Sequence, residues 1–240
     1  MLPPFEHRDD VNLLLTSRYP TPDEFAQAYR MLAQQQRTGV IRSFIAEGVP
    51  YAFEVLPTLY EDLREFLAGR LSITPRDVTL VGSARLGYSL APPPDYGKVF
   101  GANSDLDFAV ASGSLFRGLA EAFAQWKADV EAGREKSRGI REEGYWKENI
   151  KRLPQNIARG FIDAYKIPNR YEVPMKLANT MWLVAERLSR TGSAPQVKRA
   201  SLRVYRDWEA FSRQQLLNLG GVISRLPQAE PAVEGRTVRP

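Results

Sequence analysis

Val78-Thr-Leu-Val-Gly-Ser83 and Ser104-Asp-Leu-Asp-Phe-Ala-Val110 are the stretches on which the fold is decided. The first is an apolar strand that ends in Gly-Ser. The second is an apolar strand carrying two carboxylates one residue apart. At a spacing of two on a strand, Asp105 and Asp107 point to the same face, while Leu106 and Phe108 point the other way, into a core. Two carboxylates on one face repel each other unless a cation lies between them, and hard oxygen ligands suit Mg²⁺. The Gly82-Ser83 turn offers backbone N–H groups and a hydroxyl where phosphate oxygens would lie. Either piece alone is ordinary, a turn or a solvated strand end. Together they suggest a site for a metal and a nucleotide.

The order strand, Gly-Ser, intervening segment, strand with Ser-Asp-Leu-Asp resembles the signature of the DNA polymerase β-like nucleotidyltransferase superfamily. The resemblance covers roughly residues 76–112. It implies an α+β fold with a small mixed sheet packed by several helices. It also implies transfer of a nucleoside monophosphate from a nucleoside triphosphate (NTP) to a hydroxyl, an RNA end, protein, nucleotide or small molecule. On this resemblance Asp105 and Asp107 are the catalytic metal ligands for Mg²⁺, with Mn²⁺ as a substitute, and two ions serve the in-line displacement. Gly82 and Ser83 would bind the triphosphate. Arg85, close behind the turn, and Ser104, which opens the acidic motif, are further nucleotide-binding candidates. Active members usually present a third carboxylate from a neighbouring strand. The best later strand, Val197–Tyr205, carries Ser201, Arg203 and Tyr205 on its polar face and no acid. Asp163, among apolar neighbours, is the best substitute, although an aspartate that caps or pins the turn before Pro168 is the better reading of it. A missing third acid leaves a second reading open, a catalytically inactive nucleotide- or RNA-binding module on the same fold. Arg203 could then neutralise Asp105 or Asp107 in an ion-pair cluster. Stand-alone nucleotidyltransferases of this size also occur among toxin–antitoxin and phage-defence proteins.

Composition narrows the chemistry. The 240 residues are 43% hydrophobic and 25% charged, ordinary for a globular protein. Without cysteine there are no disulfides, thiolate nucleophiles or cysteine-based zinc sites. The single histidine, His7, lies in a polar stretch and reads as a surface residue. No run is long enough to span a bilayer, and no apolar secretory core opens the chain, so no membrane partner and a cytoplasmic location are expected. A net charge of +5 and a pI near 9.4 tilt weakly toward RNA as a partner. The densest basic stretch, Arg134 to Arg159, together with the residues just before it also holds Glu131, Glu135, Glu142, Glu143 and Glu148, which makes a solvated helical face as good a reading.

Along the chain, Thr21-Pro-Asp-Glu24 has the form of a helix start with a capping box. Phe25, Tyr29 and Leu32 follow at helical spacing. A second periodic segment (Val40, Ile41, Phe44, Ile45) stops at Gly48, and Pro57 opens a third with Leu59, Leu63, Phe66 and Leu67 on one face. After the Val78–Val81 strand, Pro92-Pro-Pro94 marks a surface loop from which Lys98 could reach a phosphate. A helix through Leu115, Leu119, Phe123 and Trp126 comes next, then a charge-rich connection at Glu131–Gly144. The next helix, from Tyr145, is expected to break at Pro154, and 160–168 reads as a packed turn. Pro174 leads an amphipathic helix with Met175, Met181, Trp182 and Leu188. Asp207 caps a last helix that Gly220-Gly221 ends. The domain reading is a helical segment at 1–74 packed on the core, an α+β core at 75–226, and a Pro/Glu/Arg-rich disordered tail at 227–240.

Overall fold

The computed structural model describes residues 18–227; the readings of His7 and of the tail beyond residue 227 lie outside them. The described residues form eight α-helices and a four-stranded mixed sheet, an α+β arrangement.

Helix α1 (Pro22–Met31) starts as its sequence dictates. The Thr21 hydroxyl accepts from the Glu24 amide at 3.3 Å, and Glu24 returns a bond from the Thr21 amide at 2.7 Å. Helix α2 (Gln34–Val40) runs directly into a π-helical turn, Ile41–Ala46. Helix α3 (Pro57–Leu71) leads to strand β1 (Val78–Val81), the short helix α4 (Ser83–Leu86) and strand β2 (Asp105–Ala111). Helices α5 (Gly113–Glu131) and α6 (Ile140–Arg159) precede strand β3 (Phe161–Asp163). Helix α7 (Glu172–Ser189), strand β4 (Arg199–Tyr205) and helix α8 (Trp208–Ile223) complete the order.

The strand order is β1-β2-β4-β3. Strands β2 and β4 are parallel, and the two outer pairings are antiparallel. The register sets Val81 opposite Asp107, Asp107 opposite Ser201, and Asp163 opposite Arg203. Period-2 alternation then sorts each strand into two faces. Leu80, Leu106, Phe108, Val110, Ile162, Leu202 and Val204 are buried on one face, against α3, α5, α6 and α7. Each such side chain contributes about 1.5–3 kcal/mol of apolar burial. Trp126 and Trp146 meet edge to face at 5.5 Å in the same core. On the other face, Ala109, Phe161 and Tyr205 are covered by α1, α2, the π-helical turn and α8, through Phe25, Tyr29, Phe44, Phe211 and Leu219. That cover stops short of the C-terminal end of β1 and the N-terminal ends of β2 and β4. There the sheet presents polar side chains instead.

Several expectations are corrected. Helix α6 continues through Pro154, because buried Trp146 and Leu153 hold the part before the proline on the core, half-buried Ile157 packs against the same core after it, and together they outweigh one lost backbone bond. The segment read as a packed turn holds strand β3, three residues too short to show a period. Gly220 and Gly221 lie inside α8 rather than ending it. On α7 the buried stripe runs through Leu177, Met181, Val184 and Leu188, leaving Met175 and Trp182 exposed. No helix among the described residues is long and apolar enough to cross a membrane.

Candidate functional site

The site begins where β1 ends. Gly82 turns with φ 67° and ψ −148°, a region essentially confined to glycine. The turn sends the chain straight into α4, so that the Ser83 and Ala84 amides stand in a first helical turn, where no internal acceptor reaches them. It also brings the turn against the acidic strand: a Cβ on Gly82 would lie 3.6 Å from Asp107 Oδ2. The two halves of the sequence motif therefore meet in space.

Beside them, β4 supplies a row of partners. Arg199 donates from Nε to Asp105 Oδ2 at 2.8 Å, and its Nη2 lies 2.8 Å from the same oxygen. Ser201 donates its hydroxyl to Asp107 Oδ1 at 2.6 Å. Arg203 donates from Nε to Asp163 Oδ1 at 2.6 Å, and Lys166 Nζ stands 2.7 Å from Asp163 Oδ2. The Arg203 guanidinium also lies over the Phe161 ring, 4.9 Å from its centroid. Burial works to raise the Asp163 pKa, but Arg203 and Lys166 outweigh it and hold the carboxyl below its ordinary range. Burial likewise opposes the charge on Arg203, yet Tyr205 and Asp163 keep its pKa above the usual value.

These groups line a cleft of about 460 Å³. Gly82, Ser83 and Asp107 stand on one side, Ser201 and Arg203 on the floor, and Asp163 and Tyr165 beyond them. Leu86, Leu90 and Leu219 with the Gln215 and Asn218 amides close the rest. Asp105 and Arg199 are outside this lining. Their pair is solvated, with the Arg199 side chain 71% exposed, so it holds Asp105 by only about 0.2–1 kcal/mol.

Three candidates take other roles. Arg85 is buried and outside the cleft lining: it donates from Nε to the Phe44 carbonyl at 2.9 Å and from Nη1 to the Gly48 carbonyl at 2.8 Å. It fastens the π-helical turn to the sheet. Ser104 accepts from the Gly101 amide at 3.0 Å through its hydroxyl, and its carbonyl accepts from the Lys198 amide. It shapes the loop before β2. Asp163 flanks β4 on the side away from β2, which puts its Cα about 12 Å from that of Asp107 by strand geometry. It is engaged by Arg203 and Lys166, so it does not complete an acidic triad. Arg203 in turn serves Asp163, and it is Arg199 that meets Asp105. Lys98, in the proline-bearing loop, is exposed and stands 4.0 Å from Asp95.

The donor set suits one ion. Mg²⁺ binds through one or two carboxylates and fills its octahedron with water and phosphate oxygens, which Asp105 and Asp107 on one face can provide. Among the described residues no group of three or more acidic, imidazole or thiol side chains is placed to hold a metal. The second ion of a two-metal site thus has no carboxylate set of its own. The position directly opposite Asp107, where a neighbouring strand could supply one, is Ser201.

Sequence reasoning did not single out Arg199, Lys166, Tyr165, Gln215 or Asn218. Arg199 was legible from its alternation with Ser201 and Arg203; the others come from a 3₁₀ turn and from α8, whose approach to the sheet no local pattern announces. No protein-family model matches the chain, and neither a curated protein nor a solved structure is significantly similar to it.

Proposed function

We propose that this chain is a magnesium-dependent nucleotidyltransferase of polymerase β-like type, moving a nucleoside monophosphate from an NTP to a hydroxyl acceptor. The observation that carries this reading is the contact of the Gly82–Ser83 turn with Asp107 at the wall of the cleft, with Asp105 on the same strand face. A turn with free amides, suited to phosphate, thereby stands beside a carboxylate pair suited to a cation. Asp105 and Asp107 would hold the ion that travels with the triphosphate, which when bound supplies neutralisation of charge on the phosphoryl oxygens. Asp105 must exchange Arg199 to do so, and the exposure of that pair makes the exchange cheap. The Ser83 and Ala84 amides would orient the phosphates, and the Ser201 hydroxyl fixes the Asp107 carboxylate. In the transfer the acceptor oxygen bonds to the α-phosphorus, the bond to the β-phosphate oxygen breaks, and pyrophosphate and a proton are released.

The test is incubation with each labelled NTP, Mg²⁺ or Mn²⁺, and total RNA, beside an Asp105→Ala/Asp107→Ala variant. Label is expected on an RNA, nucleotide or protein acceptor with the wild-type chain alone. Label transfer that survives in the variant would remove the two aspartates from the mechanism.

A second reading, a nucleotide- or RNA-binding module without transfer, is favoured by one observation: Ser201, not a carboxylate, faces Asp107. Tight Mg-NTP binding that depends on Asp105 and Asp107, with no labelled product, would decide for it.

A further inference from the structure

One cluster on the β3 side of the cleft carries an unbalanced charge, set apart from Asp107 on the opposite side. Asp163 is a single carboxylate facing two cations, Arg203 and Lys166, so the group carries a net charge of +1. Its anion is consumed internally, since both oxygens already face cations. The Asp163 side chain is only 4% exposed, whereas that of Arg203 is 34% exposed and lines the cleft. The guanidinium is held from two sides, by Asp163 at Nε and by the Phe161 ring, and a planar fork fixed in this way is suited to phosphate oxygens. Its position also fits. Gly82 and Arg203 are two strands and about three residues apart, roughly 14 Å between Cα atoms, a span that an arginine side chain and a di- or triphosphate can fill together.

We propose that Arg203, positioned by Asp163 and Phe161 and reinforced by Lys166, is a built-in anion contact that binds the polyphosphate end of the nucleotide without a second metal ion. The proposal rests on the nucleotidyltransferase reading only for the identity of the ligand; the contact itself requires a di- or triphosphate. Asp163 is then a positioning residue rather than a metal ligand. On the nucleotidyltransferase reading the Gly82 side would take one carboxylate-bound ion, while the β3 side already has a fixed cation in Arg203.

The experiment is calorimetric titration of the full chain with inorganic pyrophosphate in EDTA. The wild-type chain is expected to bind. An Asp163→Asn/Arg203→Gln variant, whose net charge is unchanged, should bind at least tenfold more weakly, with circular dichroism confirming that it is folded. An Asp105→Asn/Asp107→Asn variant should bind as tightly as wild type or more tightly. If the first variant does not fold, Arg203→Lys replaces it; keeping the charge but not the fork, it is expected to lose about fivefold. Absence of wild-type binding in EDTA, or wild-type affinity in the Arg203 variant, overturns the proposal. The same variants titrated with Mg-NTP separate the two readings. Pyrophosphate binding that needs Arg203, with Mg-NTP binding and transfer indifferent to Asp105 and Asp107, would sink the nucleotidyltransferase reading and leave the anion contact standing. The reverse pattern would do the opposite.

Discussion

Arg85 and Asp163 show how one side chain's partners decide its role. Arg85 follows the Gly-Ser turn by two residues, but its fork is spent on the carbonyls of Phe44 and Gly48. Arg85→Met leaves two carbonyls without their donor, at about 1–3 kcal/mol each if they stay dry. The expected outcome in urea denaturation is a lower midpoint, with unaltered Mg-NTP affinity in the folded fraction; a specific loss of affinity would return Arg85 to the site. Asp163 makes a pH-dependent contribution. Its pKa is lowered in the folded chain from an ordinary 3.8, so the unfolded state binds the proton more readily. The stabilisation is fully present above about pH 4 and is lost as pH falls through the lower, folded pKa. The stability gap between wild type and Asp163→Asn should therefore be constant from pH 5 to 7 and shrink toward pH 3 in urea titrations. A gap that does not narrow would show that the carboxylate's charge contributes nothing to the pair.

At the level of elements, strand β4 determines what kind of cleft this is. Running parallel to β2 in exact register, it sets Arg199, Ser201 and Arg203 along the acidic strand and offers no third acid. Ser201→Asp would place a carboxylate opposite Asp107. Like charges directly opposite on a sheet are destabilising, by about 0.2–1 kcal/mol, so the metal-free variant should melt below wild type. Mg²⁺ or Mn²⁺ should raise its melting temperature more than that of wild type, since an ion bound only by the folded state stabilises it by mass action. Under the transfer reading, the variant should also label acceptor faster. Equal metal shifts in both proteins would mean that position 201 does not face the ion. Helix α6 carries the opposite lesson about local rules. Pro154 reads as a stop, yet the helix runs on to Arg159, because propensity is a weak prior against a helix face buried over several turns.

Over the whole molecule, the two faces of the sheet have different owners. One is closed by α3, α5, α6 and α7, the other by the N-terminal helices and α8. The N-terminal helices also fasten the site. The Ala46 carbonyl accepts from the Thr79 hydroxyl, Phe44 and Gly48 hold Arg85, and Ile45 lines the cleft. Removal of residues 1–46 should expose the second core, abolish the near-ultraviolet circular dichroism of its aromatic residues and remove nucleotide binding together with cooperative melting. A truncated chain that melts cooperatively and binds Mg-NTP would mean that these helices are dispensable. What the amino-acid order determined unaided is whatever depends on neighbours a few residues apart. That includes the Thr21 capping box, the alternation that put Asp105 and Asp107 on one face, and the N-cap at Asp207. Strand β3, with three residues, is too short to carry a period, and it became a strand only because β4 accepts its backbone. The pairing of Arg199 with Asp105, the diversion of Arg203 to Asp163 and the withdrawal of Arg85 from the cleft were likewise settled by the tertiary structure alone. Each depends on which strand lies beside which and in what register, and sheet pairing joins residues whose separation along the chain leaves no local trace.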